Sequence, residues 1–465
     1  MSHVVERESE LDVNTVFSPL GLDEQSRVLV IGLGKTGLSV TRFLSGLDVK
    51  VAVVDSRPAP PEIGTLRELL PDVAVFTGGF SSHAFLAATH LVVSPGVSLD
   101  IPEIKAALMR GAVLVSDVDL FACAVRAPVI AISGANGKST VTSLVGLMAQ
   151  ADGRNAAVGG NLGTPALDLL REKDKIQIYV LELSSFQTER TRLLEPAAAT
   201  VLNISPDHMD RYADLAAYAE AKRRIFNGNG VMVLNEDDDY VAAMARPGRD
   251  CRWFSTRPES RADYRLEVMD GAEWLLACGE PVLRSSEVRI KGRHNLANAL
   301  AAVALGDAMG FARSSMVRAL KQFSGLDHRM QWVAERAGVT WINDSKATNI
   351  GACIAALEGL QGAVVLIAGG DGKGADFSLL APVAEKKLRA AILMGRDAGL
   401  LEDHLGKVVK TVRVDNIKQA VAAARTLAQP GDTVLLAPAC ASLDQYKDYQ
   451  ERGRMFVEQV KAQVL

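Results

Sequence analysis

Residues with a chemistry of their own first gather at Gly134-Ala-Asn136-Gly137-Lys138-Ser139-Thr140. An apolar, β-branched run from Val129 to Ile132 leads into this turn, and an apolar helical pattern leaves it. Such a turn is a phosphate cradle. Its glycines let backbone N–H groups crowd around phosphate oxygens, and the helix start adds positive potential. The Lys138 ammonium neutralises terminal-phosphate charge, and a hydroxyl after it can ligate magnesium. A strict phosphate loop has a further glycine where this chain has Ile132, so the turn is a shortened variant. An ordinary glycine turn is the competing reading; the strand-to-helix position of Gly-Lys-Ser-Thr argues against it.

Two other groups of residues carry chemistry. Gly32-Leu-Gly34-Lys35-Thr36-Gly37 follows a short apolar strand and fits a dinucleotide fingerprint, with Asp55 closing the next strand at the spacing of a ribose ligand. Alone it would indicate a nicotinamide or flavin enzyme. The same turn can hold another phosphorylated ligand or serve helix–strand packing, and a second phosphate turn in the chain weakens the dinucleotide reading. Downstream, Glu182 stands at one strand end and an Asp207-His208-Met-Asp210 cluster at another. Glu182 and His208 are candidates for a magnesium site beside Ser139, since magnesium prefers oxygen donors and keeps waters and phosphates. Histidine is an unusual magnesium ligand, and a capping or hydrogen-bonding role is its alternative. Lys222 lies in a polar, charged helical stretch from Leu215 to Phe226, whose composition suggests a solvated lysine.

The elements that must position these groups alternate: Val-, Ile- and Leu-rich strands with helical patterns, the signature of α/β layers on mostly parallel sheets. In such sheets ligands collect at the carboxyl ends of strands, where the two glycine turns, Glu182 and the Asp207–Asp210 cluster fall. The 465 residues suggest about three domains. Boundaries are expected at 1–116, 117–325 and 326–465, with 1–25, acidic and polar, a loosely ordered extension. The stretch Arg252 to Arg289 resembles a small antiparallel appendage. A formal net charge of −4 gives no footprint for nucleic acid. No apolar run is long enough to span a membrane, and the start has no signal-peptide core. Five scattered cysteines without metal spacing read as reduced residues of a cytoplasmic protein.

Seven motifs then carry a resemblance. The phosphate turn, Gly159-Gly-Asn161-Leu-Gly163, Glu182-Leu-Ser-Ser-Phe-Gln187, Asp207-His-Met-Asp210, His294-Asn295-Leu-Ala-Asn298, Asn343-Asp344-Ser-Lys-Ala-Thr-Asn349 and Ser442-Leu-Asp-Gln-Tyr446 occur in the order found in Mur ligases. The chain resembles that family over nearly all its length after Arg27, most of all the members that add D-glutamate.

The resemblance implies three domains: a Rossmann-like N-terminal domain for a UDP-sugar, a central P-loop-type ATPase domain, and a Rossmann-like C-terminal domain for the incoming amino acid. Lys35, Thr36, Asp55, Ser56 and Arg57 become UDP-site candidates, with Gly96 and Asn161 lining the substrate path. Gly134, Asn136, Gly137, Lys138, Ser139 and Thr140 would hold ATP phosphates and magnesium, Asn295 and Asn298 the base, Arg329 the phosphates and Asp344 the ribose. Thr348 and Lys373 would hold the α-carboxylate of D-glutamate, and Ser442 and the backbone near Tyr449 its γ-carboxylate. Lys138, His208, Lys222 and Arg329 are the expected catalytic set. Ser139, Glu182, His208 and Lys222 are the metal set, with two magnesium sites and Lys222 carrying a carbamate. The implied reaction joins UDP-N-acetylmuramoyl-L-alanine to D-glutamate through an acyl phosphate made from ATP. Two departures bear on affinity: Met-Gln-Trp follows His328-Arg329 where an aromatic-acidic pair is expected, and Tyr446 and Tyr449 replace frequent phenylalanines. The alternatives are folylpolyglutamate synthase, which lacks the complete N-terminal block, and the diamino-acid ligase, whose Asp-Asn-Pro-Arg tetrapeptide is absent here. A nicotinamide dehydrogenase or a nucleotide-sensing module would leave Lys138, Glu182 and His208 without a common purpose.

Overall fold

The computed structural model describes residues 11–464 apart from Asp48, Ser81, Asp210 and Lys291. Three sheets lie one after another along the chain. The N-terminal sheet holds β1 (Arg27–Ile31), β2 (Lys50–Asp55), β3 (Ala74–Thr77), β4 (His90–Val93) and β5 (Val113–Val115). They are all parallel, in the order β3-β2-β1-β4-β5. Helices on both faces make β1 and β4 continuous apolar runs rather than alternating ones. The order reverses between β1 and β4, and the crevice at such a reversal is where ligands enter. Gly37 fixes that crevice. A Cβ there would lie 1.9 Å from the Gly32 carbonyl oxygen, so only glycine lets the helix Lys35–Ser45 start so close to the strand end.

The central sheet has nine strands: β6 (Val129–Ser133), β7 (Ala156–Gly160), β8 (Ile178–Glu182), β9 (Ala198–Val201), β10 (Val231–Asn235), β11 (Cys251–Ser255), β12 (Tyr264–Met269), β13 (Ala272–Ala277) and β14 (Glu280–Arg284). Their order is β14-β13-β12-β11-β10-β9-β6-β8-β7. The expected separate appendage is corrected here. β11 pairs parallel with β10, and β12 parallel with β11; only β12, β13 and β14 run antiparallel. Phe254, Tyr264, Leu266 and Leu275 share one core with the helix Arg293–Ala308, so this region extends the main sheet.

The C-terminal sheet comprises β15 (Gln331–Arg336), β16 (Val339–Asn343), β17 (Val364–Gly369), β18 (Leu388–Met394), β19 (Lys410–Arg413) and β20 (Thr433–Leu436). It is ordered β15-β16-β20-β17-β18-β19, with only the β15–β16 pair antiparallel. The three-domain α/β architecture expected from the sequence is therefore what forms.

The N-terminal extension is a second correction. Residues 1–10 lie outside the described residues, but 11–25 are built into the N-terminal domain. A short helix, Val13–Val16, is followed by Phe17, Leu20 and Leu22, all buried. Phe17 meets the Phe43 ring edge-to-face at 5.9 Å, and the Leu20 carbonyl lies 3.2 Å from His90 Nε2. Polar residues between these apolar positions lower the mean hydropathy and hide a docking stripe. Truncating an aromatic side chain buried this completely costs about 3 kcal/mol. Phe17→Ala is expected to lower the N-terminal domain's urea midpoint accordingly, and an unchanged midpoint would show that this segment does not dock.

Candidate active site

The phosphate turn follows β6 at the crevice between β6 and β9, and the loop after β9 closes over it. The Ala135 and Asn136 amides donate to the Asn203 carbonyl and side-chain oxygens at 2.9 and 2.8 Å. Gly137 has φ 83°, and a Cβ there would lie 2.4 Å from Asn298 Oδ1, so this glycine brings the turn against the helix Arg293–Ala308. Asn298 in turn donates to Asn295 Oδ1 at 3.1 Å. Lys138 Nζ curls back onto the Gly134 and Ala135 carbonyls, both at 2.8 Å. Burial holds its pKa below the ordinary lysine value, against the pull of Glu182 and Asp207.

Glu182, at the end of β8, is buried and accepts twice: from Ser139 Oγ at 2.5 Å and from Asn161 Nδ2 at 2.8 Å. Arg329, from the C-terminal side, donates to the same Ser139 Oγ at 2.6 Å. Ser139 and Glu182 are thus hard oxygen donors side by side at the helix start. Among the described residues no group of three His, Cys, Asp or Glu side chains forms a metal centre unaided. That suits magnesium, which draws its remaining ligands from phosphates and water. His208 has a left-handed backbone (φ 57°) and packs its ring 4.8 Å from Phe186, with Nε2 3.7 Å from Asp207.

Lys222 overturns the expectation of a solvated side chain. It is 1 % exposed, its Nζ donating to the Gly134 carbonyl at 3.0 Å and to Ser133 Oγ at 3.3 Å, above the Tyr218 ring. The helix Leu215–Arg223 buries Tyr218, Ala219, Ala221 and Lys222, so the lysine shares the inward face. Burial, reinforced by Lys138, pushes its pKa well below the ordinary value.

Three cavities receive many of the other candidates, but Thr348, Lys373 and Ser442 line none of them. One of about 490 Å³ is lined by Lys35, Thr36, Asp55, Ser56, Arg57, Gly96 and Asn161 together. Asp55 there accepts from the Leu33 amide and, through both oxygens, from the Arg57 guanidinium, which lowers its pKa to about 2 despite burial. A cavity of about 310 Å³ between the central and C-terminal domains is lined by Asn136, Gly137, Thr140, Asn295, Asn298, Arg329 and Asp344. Thr348 follows β16, Lys373 follows β17, and Ser442 and Tyr449 follow β20. These three strands are neighbours, and a bridge between Asp371 and Ala441 ties two of the loops. Tyr449 opens the helix Tyr449–Gln463, where its N–H has no intrahelical acceptor; with Arg329 it borders the third cavity, about 640 Å³. Lys373 is exposed, with Nζ 4.0 Å from Asp207 of the central domain, and Asn349 donates to Asp207 at 3.2 Å.

Comparison with known proteins agrees with the three-domain architecture. The patterns for the MurD-like N-terminal domain, the Mur ligase middle domain and the Mur ligase glutamate ligase domain match residues 26–116, 132–306 and 328–440. The chain belongs to the Mur ligase family. The UDP-N-acetylmuramoylalanine--D-glutamate ligase of Methylococcus capsulatus is 65 % identical over 96 % of this chain and 97 % of its own length. That of Nitrosococcus oceani is 51 % identical over 95 % and 98 %. Among solved structures, the UDP-N-acetylmuramate-alanine ligase of Thermotoga maritima shares the fold with a TM-score of 0.60 at 18 % identity, covering 94 % of this chain and all of that one.

Beyond the motif residues singled out in the sequence, this Mur ligase brings Lys346 to the interdomain cavity. Its Nζ lies 4.2 Å over the Tyr449 ring, and burial, with Arg329 and Lys138 nearby, lowers its pKa to about 8. Its signal was present inside Asn343-Asp-Ser-Lys346-Ala-Thr, but nothing local distinguishes it from a surface lysine. Asp344 shows the converse shift: buried, it is raised from 3.8 to about 6, relieved only by the Met330 amide and Arg329. A raised carboxyl pKa means the folded state binds the proton more tightly. Its contribution to stability is present below about pH 4 and is lost as pH rises through about 6. Asp344→Asn is therefore expected to gain stability relative to the unmutated chain between pH 4 and pH 7. Urea midpoints at the two pH values check the sign, and an advantage confined to pH 4 would refute it.

Proposed function

We propose that the chain is the ATP-dependent ligase that joins D-glutamate to UDP-N-acetylmuramoyl-L-alanine in peptidoglycan precursor synthesis. The observation that carries the reading is one chain of bonds. Asn161, in the wall of the N-terminal cavity, donates to Glu182, which accepts from Ser139 of the phosphate turn. A substrate lying in that cavity has its far end led to the point of phosphoryl transfer. The relatives named for this reaction support the choice of substrates.

In this reading the alanyl carboxylate attacks the ATP γ-phosphate in line, giving an acyl phosphate and ADP. The D-glutamate amine then attacks the acyl carbon, and phosphate leaves from the tetrahedral intermediate. Lys138, Arg329 and the turn amides meet the charge on the transferring group, while Asn295, Asn298 and Asp344 orient the nucleoside. Magnesium, when bound, neutralises phosphate charge and polarises the phosphoryl group; Ser139 and Glu182 would hold it, with His208 and a modified Lys222 at a second site. Thr348, Lys373, Ser442 and the Tyr449 amide are proposed to read the two carboxylates of the acceptor. Lys35, Thr36, Asp55, Ser56, Arg57 and Gly96 take the UDP-sugar. A cytoplasmic location is part of the proposal; all five cysteines are free, and no helix among the described residues is long and apolar enough to cross a membrane. With ATP, magnesium and UDP-N-acetylmuramoyl-L-alanine, D-glutamate should give rapid phosphate release, and L-glutamate, D-alanine or a diamino acid little. Comparable release with a neutral or diamino acid would overturn the assignment.

Lys222 fits a carbamate on its own chemistry. Burial, by depressing the amine's pKa, favours its neutral form, and that form adds CO2, losing one proton to leave an anionic N-carboxylate. The anion would turn a repulsive neighbour of Lys138 into an attractive one and add oxygen donors for a metal. Lys222→Ala should be inactive and regain part of its activity with an added short carboxylate, not with an amine. A carbamate carbon signal from 13C-bicarbonate should vanish in the variant. Full activity of the unmutated enzyme under strict CO2 exclusion would refute the modification.

A further inference from the structure

Arg190 follows the short helix Ser185–Thr188 of the central domain and is 7 % exposed. Its guanidinium crosses the domain boundary to three carbonyls of the loop after β4. Nη1 donates to Val93 at 2.9 Å and Ser94 at 3.1 Å, and Nη2 donates to Val97 at 2.7 Å. Ser94, Pro95, Gly96 and Val97 form one wall of the N-terminal cavity, which Arg190 does not itself line. On the far side of the guanidinium, Nε faces Glu189 at 3.6 Å, and the other Glu189 oxygen accepts from Tyr212 Oη at 2.8 Å. Tyr212 lies four residues beyond His208, so the segment bearing the metal-ligand candidates is tied to the opposite wall of the substrate cavity.

We infer that Arg190 is a positioning residue for the UDP-sugar substrate: it sets the Ser94–Val97 loop in the conformation that receives the substrate's negatively charged diphosphate. Two physical effects follow from the geometry. Three carbonyl oxygens held by a guanidinium are kept from presenting their negative ends to an anion in the cavity. The buried positive charge behind the loop, screened little by water, adds attraction for that anion. Domain cohesion does not depend on it. Ser39 and Arg42 bond Asp168, and Arg192 bonds the Leu114 carbonyl, across the same boundary.

The inference rests on the reading of this cavity as the UDP-substrate site, and the two are separable by experiment. In steady-state kinetics, Arg190→Met should raise the KM for UDP-N-acetylmuramoyl-L-alanine about tenfold, the loss expected for charge-assisted bonds. The KM values for ATP and D-glutamate, and kcat, should stay within about twofold. Arg190→Lys, which keeps the charge, should recover part of the loss. Glu189→Gln should show a smaller shift of the same sign and stands in if Arg190→Met does not fold. Amide hydrogen exchange over residues 93–98, without substrate, should accelerate in Arg190→Met while the phosphate turn is unaffected. Unchanged exchange there, an unchanged or lowered KM for the UDP-sugar, or a parallel rise of all three KM values overturns the inference. If the unmutated enzyme does not use the UDP-sugar, the cavity reading fails, whereas the exchange experiment still decides whether Arg190 holds the loop.

Discussion

The Gly134 carbonyl oxygen accepts from two lysines at once, Lys138 at 2.8 Å and Lys222 at 3.0 Å. Two lysine amines brought onto one backbone dipole each disfavour the other's positive form, and Arg329 and Lys346 approach from the C-terminal domain. Glu182 and Asp207 are the carboxylates set against them. Burial and mutual repulsion together hold all three lysines below their ordinary pKa. The centre of the fold therefore carries a shortage of negative charge. A nucleotide triphosphate is the kind of ligand that supplies it, which is why so much of the surrounding structure anchors cations on carbonyls rather than on acids.

That constraint also orders the domains. The central domain supplies the turn and Glu182, and the C-terminal domain supplies Arg329 and Lys346. Arg329 on Ser139 and Asn349 on Asp207 use atoms that substrate, phosphate or metal would also claim. At the other boundary the bonds stand behind the cavity wall, as with Arg190, or well to one side, as with Asp168. On the proposed reading, ligands would compete with the contacts at the first boundary more than with those at the second.

Sequence legibility followed the same division between local and long-range causes. Strand, glycine turn and helix succeed one another within a dozen residues, so the phosphate turn, the Gly32–Gly37 turn and their positions at strand ends could be read directly. Lys222 could not be read so. It sits in the charged last turns of its helix, between Glu220 and Arg223, and only packing against Ser133 and Tyr218 decides that this lysine faces inward. β12 was misjudged because its parallel partner β11 is fixed by a shared core with a helix some thirty residues downstream. Phe17, Leu20 and Leu22 could not be read either, because polar residues between them hide the apolar stripe.

Arg190 marks the limit of local reading most clearly. In sequence it is one arginine among Glu189-Arg190-Thr191-Arg192, a run whose composition reads as solvated surface. In the fold Arg190 and Arg192 part company. Arg190 is buried across the domain boundary, while the Arg192 side chain stays at the surface with one bond to the Leu114 carbonyl. Only the arrival of a loop some ninety residues earlier, with three carbonyls in reach of one planar fork of donors, separates them. Arginine suits that place because its guanidinium can serve several acceptors in one plane while remaining charged when buried. The same property lets a single side chain hold a substrate wall without touching the substrate.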